Sequence, residues 1–303
     1  MQNTDDLNDA FGIAGKIIFR KSHRGLIFVE IETELVSASI CIQGAQVVTW
    51  HPKDADHPVL WATTFSSYKP GTPVRGGVPI CWPWFGDHPI DSQLPAHGYA
   101  RISTWNLESL NLKSNGYVEL EFRVGNNPLV NKLANPPLGA LLKIEIGSDL
   151  SITLITQNLS NDWVRFTEGF HTYFLVGDVK QVSLEGLGGV EYVDLLDDHK
   201  KLLQRGPITF ADELGRVYFN SANECVIRDP VLHRKILISK SGSLCTAVWN
   251  PWRERAKKMR DIGPVMWQSM LCVEAANAFE NAVSLAPGGS HVMSSKYCVE
   301  SMV

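Results

Sequence analysis

Five residues carry side chains that could do chemistry in surroundings where such side chains are out of place: Arg75, His97, Arg101, His171 and Glu274. Glu274 lies in Met270-Leu271-Cys272-Val273-Glu274-Ala275-Ala276-Asn277, an apolar run in which a carboxylate is costly unless paired or hydrogen-bonded. His171 lies in Glu168-Gly169-Phe170-His171-Thr172-Tyr173-Phe174-Leu175, where strand alternation puts His171 and Tyr173 on the face opposite Phe170 and Phe174. A buried glutamate beside a histidine is a pairing that acid–base chemistry can use. Each has an ordinary alternative: a satisfied core histidine, or a buried acid paired with an arginine.

The block Arg75-Gly76-Gly77-Val78-Pro79-Ile80-Cys81-Trp82-Pro83-Trp84-Phe85-Gly86, followed by His97-Gly98-Tyr99-Ala100-Arg101, is dense in turn formers, indoles and cationic groups. It reads as a binding loop. The Gly76-Gly77 pair would let backbone N–H groups approach a ligand, and the two arginines suit an anion carrying a polar ring, such as a phosphorylated sugar. Against this, Arg75 could hold the loop through carbonyls, Arg101 could sit in an interstrand ion pair, and His97 could cap the turn at Gly98. Trp82, Trp84 and Phe85 fit core or groove wall better than stacking platforms, and Cys81 and Cys272 read as small buried hydrophobes.

Several classes drop out. The chain lacks G-x-S-x-G, G-x-x-x-x-G-K-[ST] and H-E-x-x-H, and Gly186-Leu187-Gly188-Gly189 lacks the third spaced glycine of a dinucleotide fingerprint. Ser66-Ser67-Tyr68-Lys69 matches S-x-x-K without its companion motifs, and the histidine spacing proposes no metal site. A net charge of −4 argues against nonspecific nucleic-acid binding, so any bound anion must be held by local cations. Six cysteines without a C-x-x-C pair point to reduced thiols. The acidic start, with neither signal-peptide pattern nor apolar spanning segment, leads to the expectation of a cytoplasmic protein with no membrane partner.

The elements that must position these residues are strands. Leu26–Glu32, Tyr117–Val124 and Leu150–Thr156 alternate with a period of two, and further runs fall at Lys180–Leu184, Glu224–Arg228, Lys235–Ser239 and Ser243–Trp249. The one helical signal is Pro251–Met259. Asn126–Pro137 reads as a loop, and no repeat or linker divides the chain. The expectation is an all-β, large antiparallel β-sandwich with few short helices, one domain over residues 1–303, and an N-terminal segment that could be flexible.

Taken in order, Arg75–Gly86, His97–Arg101, His171-Thr172-Tyr173-Phe174, Val248-Trp249-Asn250-Pro251 and Cys272-Val273-Glu274-Ala275 resemble the hexose-6-phosphate mutarotase branch of the aldose 1-epimerase family. The resemblance runs from about Val29 to about Pro287. It implies a galactose mutarotase-like supersandwich with its site in a groove across one sheet, and neither metal nor organic cofactor. By the same resemblance Glu274 is the general base and His171 the general acid. Arg75 and Arg101 clamp the phosphate, His97 is a second active-site histidine, and the partner is a hexose 6-phosphate bound by a monomer. The alternatives are an epimerase of unphosphorylated aldoses and a carbohydrate-binding protein without catalysis. One departure stands out: family members carry Asp-Arg-Val-Tyr where this chain has Gly215-Arg216-Val217-Tyr218, leaving Asp212 or Glu213 to substitute for the missing acid.

Overall fold

The computed structural model describes residues 3–125 and 137–302; residues 126–136, most of the expected Asn126–Pro137 loop, lie outside the described residues. Alternating β-branched and leucine residues dominate the pattern, and the fold follows: the strand ladders among the described residues are antiparallel. Two large sheets carry the architecture. The nine-stranded sheet runs Ile208–Thr209, Ser183–Glu185, Cys225–Asp229, Arg234–Ser241, Ser290–Ser301, Leu150–Asn158, Leu138–Ile146, Val118–Val124 and Trp105–Leu112. The eight-stranded sheet runs Lys200–Leu203, Glu191–Asp194, Leu214–Phe219, Cys245–Asn250, Met270–Asn277, Glu168–Phe170 and Ile80–Cys81, with Tyr173–Leu175 also paired to Met270–Asn277. A four-stranded meander spanning Ile17–Lys21 to Gln46–Pro52 and a two-stranded ribbon complete the set.

Alternation decides what each face buries. In Leu150–Asn158 residues Leu150, Ile152 and Leu154 are buried between the two large sheets, where they meet the apolar faces of the opposing strands. Phe174 and Tyr297 meet edge-on across that gap at 5.4 Å, and the buried Trp82 indole N–H donates to Thr156 Oγ1 at 3.0 Å. On its outer face the eight-stranded sheet carries a second, smaller apolar cluster of Val193, Val217, Phe219, Cys245, Ala247 and Ala276, with Phe85 packed against it. Those residues form the floor of a groove. Their register places Cys272 and Glu274 on the same face, since Glu274 pairs with Ala247 and Cys272 with Trp249.

Two α-helices occur among the described residues. Trp252–Lys258 is the helix expected after Pro251. Thr4–Phe11 was not expected: it is short and polar on average, its narrow apolar stripe being the buried Leu7 and, one turn on, Phe11 packed against the core. Asn3 caps it by accepting from the Asp6 N–H at 2.8 Å. The expected Lys180–Leu184 strand shrinks to Ser183–Glu185, because Asp178 accepts from the Lys180 N–H at 3.1 Å and draws the preceding residues into a turn.

Candidate active site

His171 occupies a break in what alternation suggested was one strand, between Glu168–Phe170 and Tyr173–Leu175. The His171 N–H donates to Pro79 O at 3.0 Å, and the Thr172 N–H turns back to Phe170 O at 2.8 Å. Thr172 Oγ1 meets the Tyr297 hydroxyl at 2.7 Å and anchors the break to the sheet beneath. The sidedness read from alternation survives this irregularity. His171 stacks on Tyr173 with centroids 4.6 Å apart and planes 6° from parallel, while Trp249 stands edge-on to both rings. Phe170 and Phe174 point the other way, into the core.

Glu274 reaches the same point from the middle of Met270–Asn277. Its Oε1 lies 3.2 Å from His171 Nδ1, although residues 171 and 274 are far apart in the chain. Cross-strand Ala247 leaves room for this approach. Glu274 is 3% exposed and His171 6%. Glu274 Oε2 and His171 Nδ1 find no aligned hydrogen-bond partner among the described residues, a costly state for buried polar atoms.

Burial dominates the electrostatics. Removal from water pushes the Glu274 carboxyl well above the usual carboxylate range, against the opposing pull of Arg101. Burial likewise drives His171 well below its ordinary value, helped by His97, Arg75 and Arg101. A histidine at this position was expected to titrate near neutrality. In the folded protein the surrounding cations and the dry site overrule its solution behaviour, and burial favours the uncharged form of both groups.

Arg75 and Arg101 both act electrostatically on His97, His171 and Tyr173, so the two guanidinium groups address one neighbourhood. Their environments differ. Arg75 Nε donates to Asp261 Oδ2 at 2.7 Å and its Nη1 to the Tyr173 hydroxyl at 2.8 Å. Burial lowers its pKa, but Tyr173 and Asp261 more than restore it. Arg101 holds Ala96 O through Nη2 at 2.5 Å, and its buried Nε has no hydrogen-bond partner among the described residues. Burial lowers its pKa. Tyr173, already accepting from Arg75, can turn its own hydroxyl hydrogen toward His171 Nε2, 3.4 Å away.

His97 clasps a turn, though at Gly86 and not at Gly98 as the ordinary alternative had it. Its backbone N–H donates to Gly86 O at 2.6 Å, its Nδ1 accepts from the Gly86 N–H at 3.2 Å, and its φ is 64°. Burial, with Arg101 and Arg75, lowers its pKa to about 3. A neutral ring accepting at Nδ1 carries its hydrogen on Nε2, so His97 is a fixed donor. Its ring is centred 5.3 Å from that of His171.

The glycine pair has another purpose than the one expected. Gly77 spends its N–H on Trp61 O at 2.7 Å, and a Cβ there would meet Val47 O at 2.1 Å. Gly76-Gly77 therefore lets strands approach one another rather than a ligand. Trp82 and Trp84 are core residues, while Phe85 walls the groove by packing over Gly169. Sequence reasoning passed over Tyr173 and Asp261 as site residues. Tyr173 had a signal, its two-residue spacing from His171; Asp261, in a turn after the second helix, had none.

The aldose 1-epimerase family model matches residues 28–298 of the chain. The chain belongs to the aldose 1-epimerase family. A relative from Escherichia coli strain K12, provisionally named glucose-6-phosphate 1-epimerase, is 34% identical over 266 residues, covering 87% of each chain. One from Cenchrus ciliaris with the same provisional name is 33% identical over 262 residues, 83% of this chain and 78% of its own. Among solved structures, a Salmonella typhimurium protein provisionally named a mutarotase superposes with a TM-score of 0.89 at 29% identity, covering 96% of both chains. A galactose mutarotase-like protein from Lactobacillus casei shares the fold, with a TM-score of 0.68 at 17% identity over 91% of this chain and 100% of its own.

Within this epimerase-family groove Gly215 faces Leu195, Leu196 and Trp249, where an added Cβ meets only ordinary contacts. Glu213 is drawn to Arg255 at 3.4 Å, and Asp212 is exposed. Two hollows, of about 830 and 440 Å³, lie elsewhere, one against the four-stranded meander and one behind Trp84. Neither is lined by His171 or Glu274. The chemistry is identified by convergent polar groups rather than by the size of a void. No helix among the described residues is long and apolar enough to cross a membrane.

Proposed function

We propose that this chain is a hexose-6-phosphate mutarotase, interconverting the α and β anomers of a sugar such as glucose 6-phosphate. The observation that carries the reading is the buried His171–Glu274 contact of 3.2 Å, with atoms on both groups left without partners. In the productive tautomer Glu274 is a carboxylate and His171 an imidazolium. Glu274 takes the proton of the anomeric hydroxyl while His171 gives one to the ring oxygen, and the C1–O5 bond breaks to leave an open-chain aldehyde. Rotation about C1–C2 and reclosure on the other carbonyl face completes the exchange.

The proton count explains why burial suits this chemistry. Ring opening leaves Glu274 protonated and His171 neutral, the state that desolvation favours. The pair holds one proton before and after the step, and reclosure restores the starting tautomer. Such positioned acid–base catalysis supplies about 10² to 10⁴-fold in rate. His97 contributes a neutral Nε2–H donor for a sugar oxygen.

Arg101, with an unpartnered buried Nε, is the stronger candidate for holding the phosphate; Arg75 joins it while anchored by Asp261 and Tyr173. That anchoring favours a second reading, an epimerase of free aldoses in which Arg75 serves only to orient Tyr173. Anomer-resolved NMR exchange on glucose 6-phosphate and glucose side by side separates the two. The phosphate reading predicts faster exchange of the phosphorylated sugar, and a KM raised about 10-fold or more by Arg101→Met for that sugar alone. Equal turnover of both sugars, unaffected by Arg101→Met, favours the free-aldose reading.

A further inference from the structure

Beyond its proton-transfer pair, the groove floor assembles a set of metal ligands. His171, Cys272 and Glu274 each present a donor atom, and these atoms all lie within 4.8 Å of one another. Cys272 and Glu274 are alternate residues of one strand and so share its face, while His171 arrives from the neighbouring break. We propose that this cluster is an inhibitory site for zinc or a similarly thiophilic divalent cation, which would bind across the proton-transfer pair and stop turnover.

The chemistry of the donors selects the metal class. One imidazole nitrogen, one sulfur and one carboxylate oxygen form a borderline-soft set suited to zinc, whereas magnesium and calcium prefer all-oxygen shells. Zinc–ligand bonds of about 2.0 to 2.3 Å put the donors of a tetrahedral site roughly 3.3 to 3.8 Å apart. The His171 Nδ1 to Glu274 Oε1 separation of 3.2 Å is already close to that. Independently, Glu274 Oε2 is buried with no hydrogen-bond partner among the described residues, and His171 Nδ1 has no aligned hydrogen bond there, its neighbour being Glu274 Oε1, which belongs to the same ligand set. Three protein ligands leave a fourth position open to water or a sugar oxygen.

On binding, the Cys272 S–H bond breaks and the His171–Glu274 pair gives up the proton it holds; sulfur–zinc, oxygen–zinc and nitrogen–zinc bonds form and both protons pass to buffer, with no change of oxidation state. Zinc would then occupy the lone pairs that His171 and Glu274 need for proton transfer. The ion is thus an inhibitor of the proposed reaction and not its cofactor. The inhibition rests on the mutarotase reading, but the binding does not.

The test titrates zinc chloride into the metal-free full-length chain by calorimetry, and follows cobalt(II) binding by the thiolate-to-metal charge-transfer band. One zinc per chain is expected, together with inhibition of anomer exchange in the same concentration range, reversal by EDTA, and no effect of magnesium. Cys272→Ser, with inhibition referred to its own zinc-free turnover, should weaken zinc binding and inhibition at least about 10-fold. Cys298→Ser, at the partly exposed thiol, should change neither. Glu274→Gln, read by binding alone with its fold checked by circular dichroism, should weaken zinc as well. Equal zinc affinity in wild type, Cys272→Ser and Glu274→Gln, or a cobalt complex with no thiolate band, overturns the proposal. A chain that binds zinc through Cys272 yet exchanges no anomers leaves the metal site standing and removes the mutarotase reading.

Discussion

At His171 the surroundings reverse the behaviour of the free side chain. An exposed histidine gains a proton near pH 6.5, but this imidazole is dry, stacked on Tyr173 and ringed by His97, Arg75 and Arg101, so its second proton is held off until well below that value. Glu274 is displaced in the opposite direction, and the pair keeps a single proton over a wide range. The consequence is a test on kcat. Between pH 7.5 and 5.5 it should fall by no more than about twofold, since the acid limb belongs to the depressed His171 step. A profile that halves near 6.5 and follows a simple imidazole titration would mean that His171 works as a solvated residue. Gly215 remains the position where this chain departs from its family; the nearby Glu213 lies 3.4 Å from Arg255 in an ion pair.

Among the elements, the strand Glu168–Phe170 does more than lead to His171. Glu168, fully buried, accepts from Asn277 Nδ2 at 3.1 Å and from Thr156 Oγ1 at 3.4 Å, and meets His291 Nε2 at 3.1 Å. One carboxylate thereby joins strands of both large sheets directly behind the proposed site. The hydrogen bond to Glu168 raises the His291 pKa, with burial opposing and the Glu168 charge and Gly242 carbonyl assisting. A raised histidine pKa gives stability that is complete below its unfolded value of about 6.5 and is lost as pH climbs through the folded value. Urea unfolding should therefore show wild type losing more stability than Glu168→Gln between pH 6 and pH 8.5. Parallel losses in the two proteins would mean that the pairing contributes nothing to the pH dependence.

The strands also show what could be read from the chain alone. Leu150–Asn158, Val118–Val124 and Cys225–Asp229 follow from alternation, because each has one face in the core and one outward. Met270–Asn277 is buried on both faces, so an apolar run with one carboxylate was the whole of its signal. The short strand Ile80–Cys81 is set by its partner Gly169 rather than by its own two residues. The break at His171-Thr172 needed Pro79 and Tyr297, contacts that local sequence does not encode. The five candidate residues were legible by type and surroundings. Of their partners, Tyr173 shared the face of His171 by its two-residue spacing, whereas Asp261 emerges only when the chain is folded.

Over the whole molecule, the buried core cluster runs from Leu7 to Tyr297, and the proposed chemistry depends on that closure. His171 and Glu274 come together because the sheet pairs Tyr173 with Cys272 and Phe170 with Ala275, fixing both side chains on the groove face. Membership of the aldose 1-epimerase family fits this arrangement; the provisional names of its relatives leave the sugar to be established for this chain. The most direct measurement is two-dimensional NMR exchange between α- and β-glucose 6-phosphate, comparing wild type with His171→Ala, Glu274→Gln and the double variant, each verified as folded. Residues acting as one proton-transfer unit should each lose about 10² to 10⁴-fold in exchange rate, and the double variant should lose little more than either alone. Near-normal exchange in either folded single variant would contradict the account.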